Sequence, residues 1–225
     1  MSRLILLRHG ESEWNTRNLF TGRADVALTR RGEQQSRDAG TLLRTLGLAP
    51  DAAHCSVLRR AWHTCALAMD AAGRGTAPVA AVRALAERDY GSLQGRNKEA
   101  VRREVGEREF RRIRRSADAR PPGGESLDDV SARLLPYWHA HIAPRLGAGA
   151  TVLVVGHSNS LRCLAAHLDA LSPTELLDLE LLPGTPLLYE LDPALLPLRR
   201  GGRHLHPAGA SGAVRTAGSS VTHDR

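Results

Sequence analysis

The chain has 225 residues, of which 42% are hydrophobic and 24% charged, and its formal net charge is +7. This composition is typical of a globular domain, and the absence of a membrane-length apolar stretch or a signal-peptide pattern predicts a cytoplasmic protein that makes no membrane contact. The basic residues are concentrated in two places: residues 96–120 hold ten basic and five acidic side chains, and residues 199–225 hold five arginines and one aspartate. A confined basic patch in which Phe110 is the one aromatic residue favours a small polyanionic ligand over nucleic acid.

The cysteine and histidine spacing argues against disulfides and against a metal centre. Cys55, Cys65 and Cys163 form no CxxC pair and leave one thiol over under any pairing scheme, so we expect reduced, mostly buried thiols. His204 and His206 are close in sequence but lack further ligands nearby. The sequence therefore predicts a protein without a metal.

The first predicted element is a short buried strand at the N-terminus. Four apolar residues run from Leu4 to Leu7 and stop at Arg8-His9-Gly10. Ligands of open α/β sheets bind outside the carboxyl ends of the strands, and Gly10 permits a close backbone approach. A neutral imidazole can attack phosphorus, and a guanidinium matches phosphate oxygens. An Arg-His pair at this edge predicts an anion site with a nucleophile.

Helices and strands alternate through most of the remaining chain, which indicates an α/β domain. The first half is predicted to contain a helix capped by Thr29 and ending near Gly47, a strand at 50–55, a helix at 58–69, a strand at 78–82 and a loop at 85–95. Two helices within 97–115, broken near Gly106, and a helix opened by Ser126 and ending near Ile142 follow. The last predicted elements are a strand at 151–155, a helix reaching Leu168, a capping box at 172–175 and a strand at 186–191. We expect one catalytic domain over residues 1–198. Residues 199–225 lack apolar periodicity, which predicts a disordered basic tail.

Four side chains are predicted to converge on the first strand's end. The first strand ends at His9, and the strand at 151–155 repeats its geometry and ends at His157. Glu87 lies in the loop at 85–95, and Arg60 lies at a helix start. A phosphoryl group in transfer carries negative charge on its oxygens, which Arg8, Arg60 and His157 would stabilise. A carboxyl such as Glu87 can move the proton between the attacking and the leaving oxygen.

Several longer motifs carry a family resemblance. They are Arg8-His9-Gly10-Glu11-Ser12-Glu13-Trp14-Asn15, Phe20-Thr21-Gly22, Ser56-Val57-Leu58-Arg59-Arg60-Ala61, Glu87-Arg88-Asp89-Tyr90-Gly91, Asn97-Lys98, Arg114-Arg115 and Gly156-His157-Ser158-Asn159-Ser160-Leu161-Arg162. In this order they resemble the phosphoglycerate mutase branch of the histidine phosphatase superfamily, and the resemblance extends from about residue 3 to residue 198.

The resemblance implies a fold and a role for each matching residue. The fold is a three-layer α/β/α sandwich with a mostly parallel central sheet. His9 is then the phosphorylated nucleophile, Glu87 the proton donor and acceptor, and Arg8, Arg60 and His157 the clamp on the phosphoryl group. The residues that would hold the rest of the substrate are Ser12, Asn15, Thr21, Gly22, Arg88, Asp89, Tyr90, Lys98, Arg114, Arg115, Ser158 and Asn159. The implied activity interconverts 2- and 3-phosphoglycerate after priming by 2,3-bisphosphoglycerate, without a metal.

Two features keep a second activity open. The short connection from Pro121 to Ser126 resembles the phosphatase branch, and Ser158 stands where the mutases usually have glycine. A phosphomonoesterase that uses water as acceptor is therefore the alternative, and the chain is expected to be a monomer or a homodimer. A serine hydrolase is disfavoured: the segment around Ser158 mimics a nucleophile elbow, but Ser160 replaces its last glycine and, after His167, the later histidines lie only in the tail.

Overall fold

The computed structural model describes residues 2–172, 175–176 and 179–207, apart from the side chain of Arg115. The strands are β1 (Ser2–Arg8), β2 (Ala52–Ser56), β3 (Val79–Val82), β4 (Thr151–Gly156), β5 (Pro186–Leu191) and β6 (Arg203–His204). The α-helices are α1 (Glu13–Thr16), α2 (Arg30–Thr45), α3 (Arg59–Ala71), α4 (Lys98–Arg115), α5 (Leu127–Tyr137), α6 (Ala143–Gly147) and α7 (Ser158–Asp169). None of the helices in the described ranges is both long enough and apolar enough to cross a membrane.

The strands form one six-stranded sheet in the order β3-β2-β4-β1-β5-β6. β3, β2, β4 and β1 run parallel, whereas β5 and β6 pair antiparallel at one side. The central strands β1 and β4 are almost wholly buried, because both faces of the sheet are covered by helices. The predicted mostly parallel sheet is confirmed.

Successive side chains of β1 face two different hydrophobic cores, one on each side of the sheet. Leu4 and Leu6 face a core that includes residues of α5, α6 and α7, whereas Ile5 and Leu7 face a core formed with α2 and α3. This division follows from the two-residue period of a strand, which sends successive side chains to opposite faces. The result is the predicted three-layer α/β/α sandwich.

Several local predictions agree with the structure. Thr29 caps α2, because its side chain accepts a hydrogen bond from the Gly32 amide at 3.0 Å. The predicted break in α4 occurs at Gly106, whose φ of 77° is a left-handed conformation that glycine adopts readily. Ser172 and Glu175 exchange capping hydrogen bonds, while Pro173 and Thr174 of the same motif lie outside the described residues. The three cysteines are free and buried, as expected.

Two regions differ from the prediction. The helix expected to run from Ser126 to Ile142 changes at Trp138 into a π-helical turn, Trp138–Ile142, and then continues as α6. Pro136 lies in the last turn of α5, where its ring disfavours a regular α-helix. The segment expected to be disordered from residue 199 is ordered at least through residue 207, because β6 pairs with β5 and Leu205 is buried. Residues 208–225 lie outside the described part.

The packing of α2 on α3 gives a first testable prediction. A Cβ added at Gly40 of α2 would lie 2.1 Å from the Ala68 carbonyl oxygen of α3, so Gly40→Ala should lower the free energy of unfolding by about 1–3 kcal/mol. Gly147→Ala in α6 is the matched control, since a Cβ there meets nothing within 4 Å. Urea denaturation should show a lower midpoint for Gly40→Ala only. Equal midpoints for the two variants would contradict the close helix contact.

Candidate active site

The site lies where the two central parallel strands end. Arg8 of β1 is in register with Gly156 of β4, and the next amide, that of His9, donates to the Gly156 carbonyl at 3.0 Å. Both chains therefore leave the sheet side by side. The rings of His9 and His157 lie edge to face with centroids 5.1 Å apart, and both are buried. The predicted convergence of the two histidine loops is present.

His9 presents one ring nitrogen to the pocket. Its Nδ1 lies 2.7 Å from the Gly10 carbonyl oxygen, which can only accept, so the hydrogen-bond pattern assigns the proton to Nδ1 and leaves the lone pair on Nε2. Burial, together with the charges of Arg60 and Arg8, holds the pKa of His9 well below its usual value. His9 is therefore neutral at physiological pH, with Nε2 available as a nucleophile.

The main chain at Gly10 lies directly against the main chain of α2. A Cβ at Gly10 would lie 2.2 Å from the Gly32 carbonyl oxygen, and the Gly10 amide donates to the Thr64 hydroxyl at 3.1 Å. The glycine thus brings the end of β1 against the first turn of α2. The sequence correctly indicated a close approach at this position, although the described contact is with α2.

Arg60 is fully buried at the start of α3. Its Nη atoms donate to the carbonyls of Ala24 and Gly22, both at 2.8 Å, and its Nε donates to His9 Nε2 at 3.3 Å. Burial lowers the pKa of Arg60 to about 10, which still leaves it charged at neutral pH. The guanidinium is therefore fixed beside the nucleophilic nitrogen by two main-chain oxygens.

Arg8 and His157 have buried polar atoms without partners. Arg8 Nη1 donates to the Leu181 carbonyl at 2.9 Å, but among the described residues its Nε has no partner, and neither ring nitrogen of His157 has one. Burial is the main cause that lowers the pKa of both groups, so His157 is neutral here. Buried polar groups are nearly always hydrogen-bonded. An anion in the pocket would supply acceptors to both side chains.

Glu87 reaches the same pocket from the loop after β3. Its Oε1 accepts from the Arg88 main-chain amide at 2.7 Å, and its Oε2 accepts from the main-chain amide of Asn159, at the start of α7, at 3.5 Å. Asn159 in turn donates to the Tyr90 hydroxyl at 3.2 Å. The carboxylate is largely buried, so it is oriented by main-chain donors rather than by bulk water.

Arg8, His9, Arg60 and Glu87 line one small cavity of about 140 Å³, whereas the buried ring of His157 contacts His9 but is not part of the lining. Pockets for drug-sized ligands are larger, roughly 300–1,000 Å³, so this cavity suits a small molecule. Its cationic residues include Lys98, whose pKa is lowered to about 8 by burial and by the charges of Arg114 and Arg8. The lining residues are Arg8, His9, Asn15, Phe20, Thr21, Gly22, Arg60, Glu87, Tyr90, Lys98, Arg114, Ser158, Asn159, Arg162 and Glu180.

Three predicted binding residues are absent from the cavity lining. Ser12 is buried and hydrogen-bonds Asn15 at 2.8 Å, which positions the Asn15 side chain. The Arg88 guanidinium is fully buried and donates to the carbonyls of Glu125, Ile113 and Ala119. Asp89 accepts from the Gly91 amide at 2.8 Å within its own turn. The side chain of Arg115 lies outside the described part of the chain.

Three lining residues were not predicted as site residues. Phe20 and Arg162 belong to the motifs that carry the family resemblance. Arg162 follows Ser158 by one helical turn, so helical spacing could have placed it on the same face of α7 as Ser158. Glu180 reaches the cavity from the segment before β5, for which the sequence offered no signal. Within the described ranges, no three His, Cys, Asp or Glu side chains are grouped so that they could hold a metal ion.

Known proteins resemble this chain over most of its length. The 2,3-bisphosphoglycerate-dependent phosphoglycerate mutases of Cutibacterium acnes and Nocardioides sp. are each 45% identical to it, covering 96% and 94% of this chain and 97% and 95% of theirs. Among solved structures, a mycobacterial glucosyl-3-phosphoglycerate phosphatase is 27% identical with a TM-score of 0.74, covering 84% of this chain and 93% of its own. The α-ribazole phosphatase of Shigella flexneri is also 27% identical with a TM-score of 0.74, over 88% and 95%.

The family assignment rests on a match to nearly the whole catalytic region. The family model described as histidine phosphatase superfamily (branch 1) matches residues 4–193. These residues include both strand ends, the two site histidines and Glu87. The chain therefore belongs to branch 1 of the histidine phosphatase superfamily.

Proposed function

We propose that this protein interconverts 2-phosphoglycerate and 3-phosphoglycerate as a 2,3-bisphosphoglycerate-dependent phosphoglycerate mutase. The observation that carries the proposal is the neutral His9, whose unprotonated Nε2 accepts a hydrogen bond from the fixed Arg60 guanidinium in a cation-lined cavity. The relatives that are 45% identical over almost their full length carry that activity in their names. Their match is much closer than that of the 27% identical phosphatases.

In the proposed reaction, His9 Nε2 attacks phosphorus and becomes a phosphohistidine. Bound 2,3-bisphosphoglycerate supplies the phosphoryl group that primes the enzyme. Arg8 and Arg60 offer donors to the phosphoryl oxygens, and His157 adds an N–H that has no acceptor among the described residues. The first turn of α7 adds the positive end of a twelve-residue helix. These groups stabilise the charge that develops on the phosphoryl oxygens.

Glu87 is the proposed proton carrier. The oxygen that leaves phosphorus must gain a proton, and the hydroxyl that later attacks the phosphohistidine must lose one. One carboxyl can perform both steps if the substrate reorients between them. The buried position of Glu87, held by the Arg88 amide, keeps its carboxyl facing the cavity.

Lys98 and Arg114 are proposed to hold the second anionic group of the substrate. Both line the cavity, and Arg114 is placed by stacking over the Phe110 ring at 5.4 Å. Phosphoglycerate carries a carboxylate besides its phosphate, and the bisphosphate carries two phosphates, so a second cationic pair balances the far end. The cavity residues thus fit the priming compound. Arg115 is proposed to assist Arg114.

Phosphomonoester hydrolysis is the second candidate function. It is favoured by the short connection from Pro121 to Ser126 and by the phosphatases among the similar structures. Incubation of the enzyme with 3-phosphoglycerate, with and without catalytic 2,3-bisphosphoglycerate, separates the two. Formation of 2-phosphoglycerate that depends on the bisphosphate supports the mutase. Release of free phosphate without 2-phosphoglycerate would replace it by the phosphatase.

His9→Ala should abolish turnover, because the variant lacks the nitrogen on which the covalent intermediate is proposed to form. Transfer of labelled phosphate from 2,3-bisphosphoglycerate should label wild type in an acid-labile form and leave the variant unlabelled. His63→Ala is the control, since His63 of α3 lies outside the cavity. Acid-stable label, or near-normal turnover of His9→Ala, would refute the nucleophile assignment.

Glu87→Gln should lower kcat by about 10²–10⁴-fold, the usual effect of losing a positioned general acid or base. The amide keeps the size of the side chain but cannot cycle a proton, so KM should change much less. Steady-state kinetics with 3-phosphoglycerate measures both. A large rise in KM with kcat intact would make Glu87 a recognition residue instead.

Arg114→Ala should weaken phosphoglycerate binding selectively. Loss of one charge-assisted contact costs roughly 1.5–3 kcal/mol, about ten- to a hundredfold in affinity, whereas hydrolysis of p-nitrophenyl phosphate, which lacks a second anion, should barely change. Arg111→Ala on the same helix is the control, since its side chain is 76% exposed and pairs with Glu107. The ratio of mutase to aryl-phosphatase efficiency is measured. An unchanged ratio in Arg114→Ala would remove Arg114 from substrate recognition.

A further inference from the structure

The short connection between α4 and α5 contributes a charged side chain that lies outside the cavity. Glu125 is only 17% exposed, and its two carboxylate oxygens receive donors from three parts of the chain. The Asp89 amide donates to Oε2 at 2.9 Å, and Arg23 Nη2 donates to Oε1 at 2.6 Å. Arg133 of α5 donates to both oxygens, at 3.0 and 3.2 Å. Glu125 is therefore the centre of a charge-assisted network.

Arg133 connects this network to the loop that carries Glu87. Its Nη1 donates to the Ala84 carbonyl at 2.7 Å, and its Nη2 donates to the carbonyls of Ala86 and Glu87 at 2.8 and 3.1 Å. The guanidinium thus holds the main chain immediately before and at Glu87. The Glu125 carboxylate faces the same guanidinium from the other side and fixes its orientation.

The main chain around Glu125 is tied to the residues after Glu87. The Glu125 amide donates to the Asp89 carbonyl at 2.9 Å, and the Glu125 carbonyl accepts from Arg88 Nε at 2.6 Å. A Cβ at Gly124 would lie 2.6 Å from the Asp89 carbonyl oxygen, and one at Gly91 would lie 2.1 Å from the Pro122 carbonyl oxygen. The connection therefore lies directly on the turn at 89–91 without room for side chains.

Arg23 links Glu125 to the other side of the active site. Arg23 stands between Gly22 and Ala24, whose carbonyl oxygens hold the Arg60 guanidinium. One carboxylate thus joins the loop that fixes Arg60 to the loop that carries Glu87. The hydrogen bonds and charges of Arg133, the Asp89 amide and Arg23 outweigh burial and lower the pKa of Glu125, so it is ionised at neutral pH.

We propose that Glu125 is a positioning residue of the active site, which acts through Arg133 and the Asp89 amide to hold the Glu87 carboxyl in place for proton transfer. Glu125 and Arg133 are not among the lining residues of the cavity, and Arg133 reaches it only through the main chain at Glu87. The proposal rests on the proposed function. A displacement of about 1 Å at a reacting group can reduce the rate about a hundredfold, so the network controls kcat more than substrate affinity.

The test compares Glu125→Ala, Glu125→Gln and a control variant in phosphoglycerate interconversion. Glu125→Ala should lower kcat about 10- to 100-fold with KM changed less than about threefold. Glu125→Gln keeps an acceptor for the Asp89 amide but loses the charge, so it should recover part of that loss. Glu109→Gln is the control, because Glu109 makes an exposed pair with Arg112 on α4, and its kinetics should equal wild type.

A double variant separates positioning from general destabilisation. Once Glu87→Gln has removed the proton carrier, adding Glu125→Ala should lower kcat less than about threefold further. Multiplication of the two single effects would overturn the proposal, as would a Glu125→Ala variant with wild-type kcat. Circular dichroism and thermal unfolding establish that each variant is folded. If Glu125→Ala does not fold, Arg133→Lys in the same double-variant scheme takes its place.

Failure of the proposed function is recognised separately. A wild-type enzyme that forms no 2-phosphoglycerate refutes the mutase activity but leaves the role of Glu125 testable. Hydrolysis of 3-phosphoglycerate to glycerate also needs a proton on its leaving alkoxide, and the same variants are then compared on released phosphate. Loss of rate in Glu125→Ala that is absent in the Glu87→Gln background supports the positioning role in either case.

Discussion

The parallel pairing of β1 with β4 is the constraint on which the site depends. Because Arg8 and Gly156 are in register at the ends of these strands, His9 and His157 leave the sheet next to each other and their rings meet at 5.1 Å. A register shift of one residue would send every side chain of a strand to the opposite face. The two hydrophobic cores that divide on β1 oppose such a shift. The packing of the sheet therefore fixes the spacing of His9 and His157.

The second feature of the site is a concentration of positive charge that burial makes costly. Arg8 and Arg60 are held by main-chain carbonyls. Burial and the charges of these arginines lower the pKa of His9 and of His157, so both histidines are neutral. Isolated buried charges are unfavourable unless they are paired and hydrogen-bonded. A bound anion with several oxygens answers that requirement. This arrangement of buried charge thus favours a phosphoryl group, and most strongly where the charge of that group is greatest.

Much of the secondary structure was predictable because its signals are local. The Thr29 cap and the break at Gly106 each depend on one residue and its immediate neighbours. The errors arose where distant parts of the chain decide the outcome. Arg203–His204 form a strand only because β5 offers a free edge, a contact that tail composition cannot reveal. Arg88 resembles a substrate ligand in sequence, yet its guanidinium is used by three carbonyls from residues 25 to 37 positions away.

The sequence by itself determined the chemistry: a histidine after a buried strand, a second histidine after another, and arginines and a carboxyl in motifs that resemble those of a phosphoryl-transfer family. Local patterns and a family resemblance contain that information because residue type and order do not depend on packing. Only the tertiary structure decided which of those residues face the cavity and which support it. Lys98 and Arg114 line the cavity, whereas Ser12 and Arg88 are absent from its lining. The direction of a side chain depends on contacts between segments distant in sequence, and those contacts exist only in the folded protein.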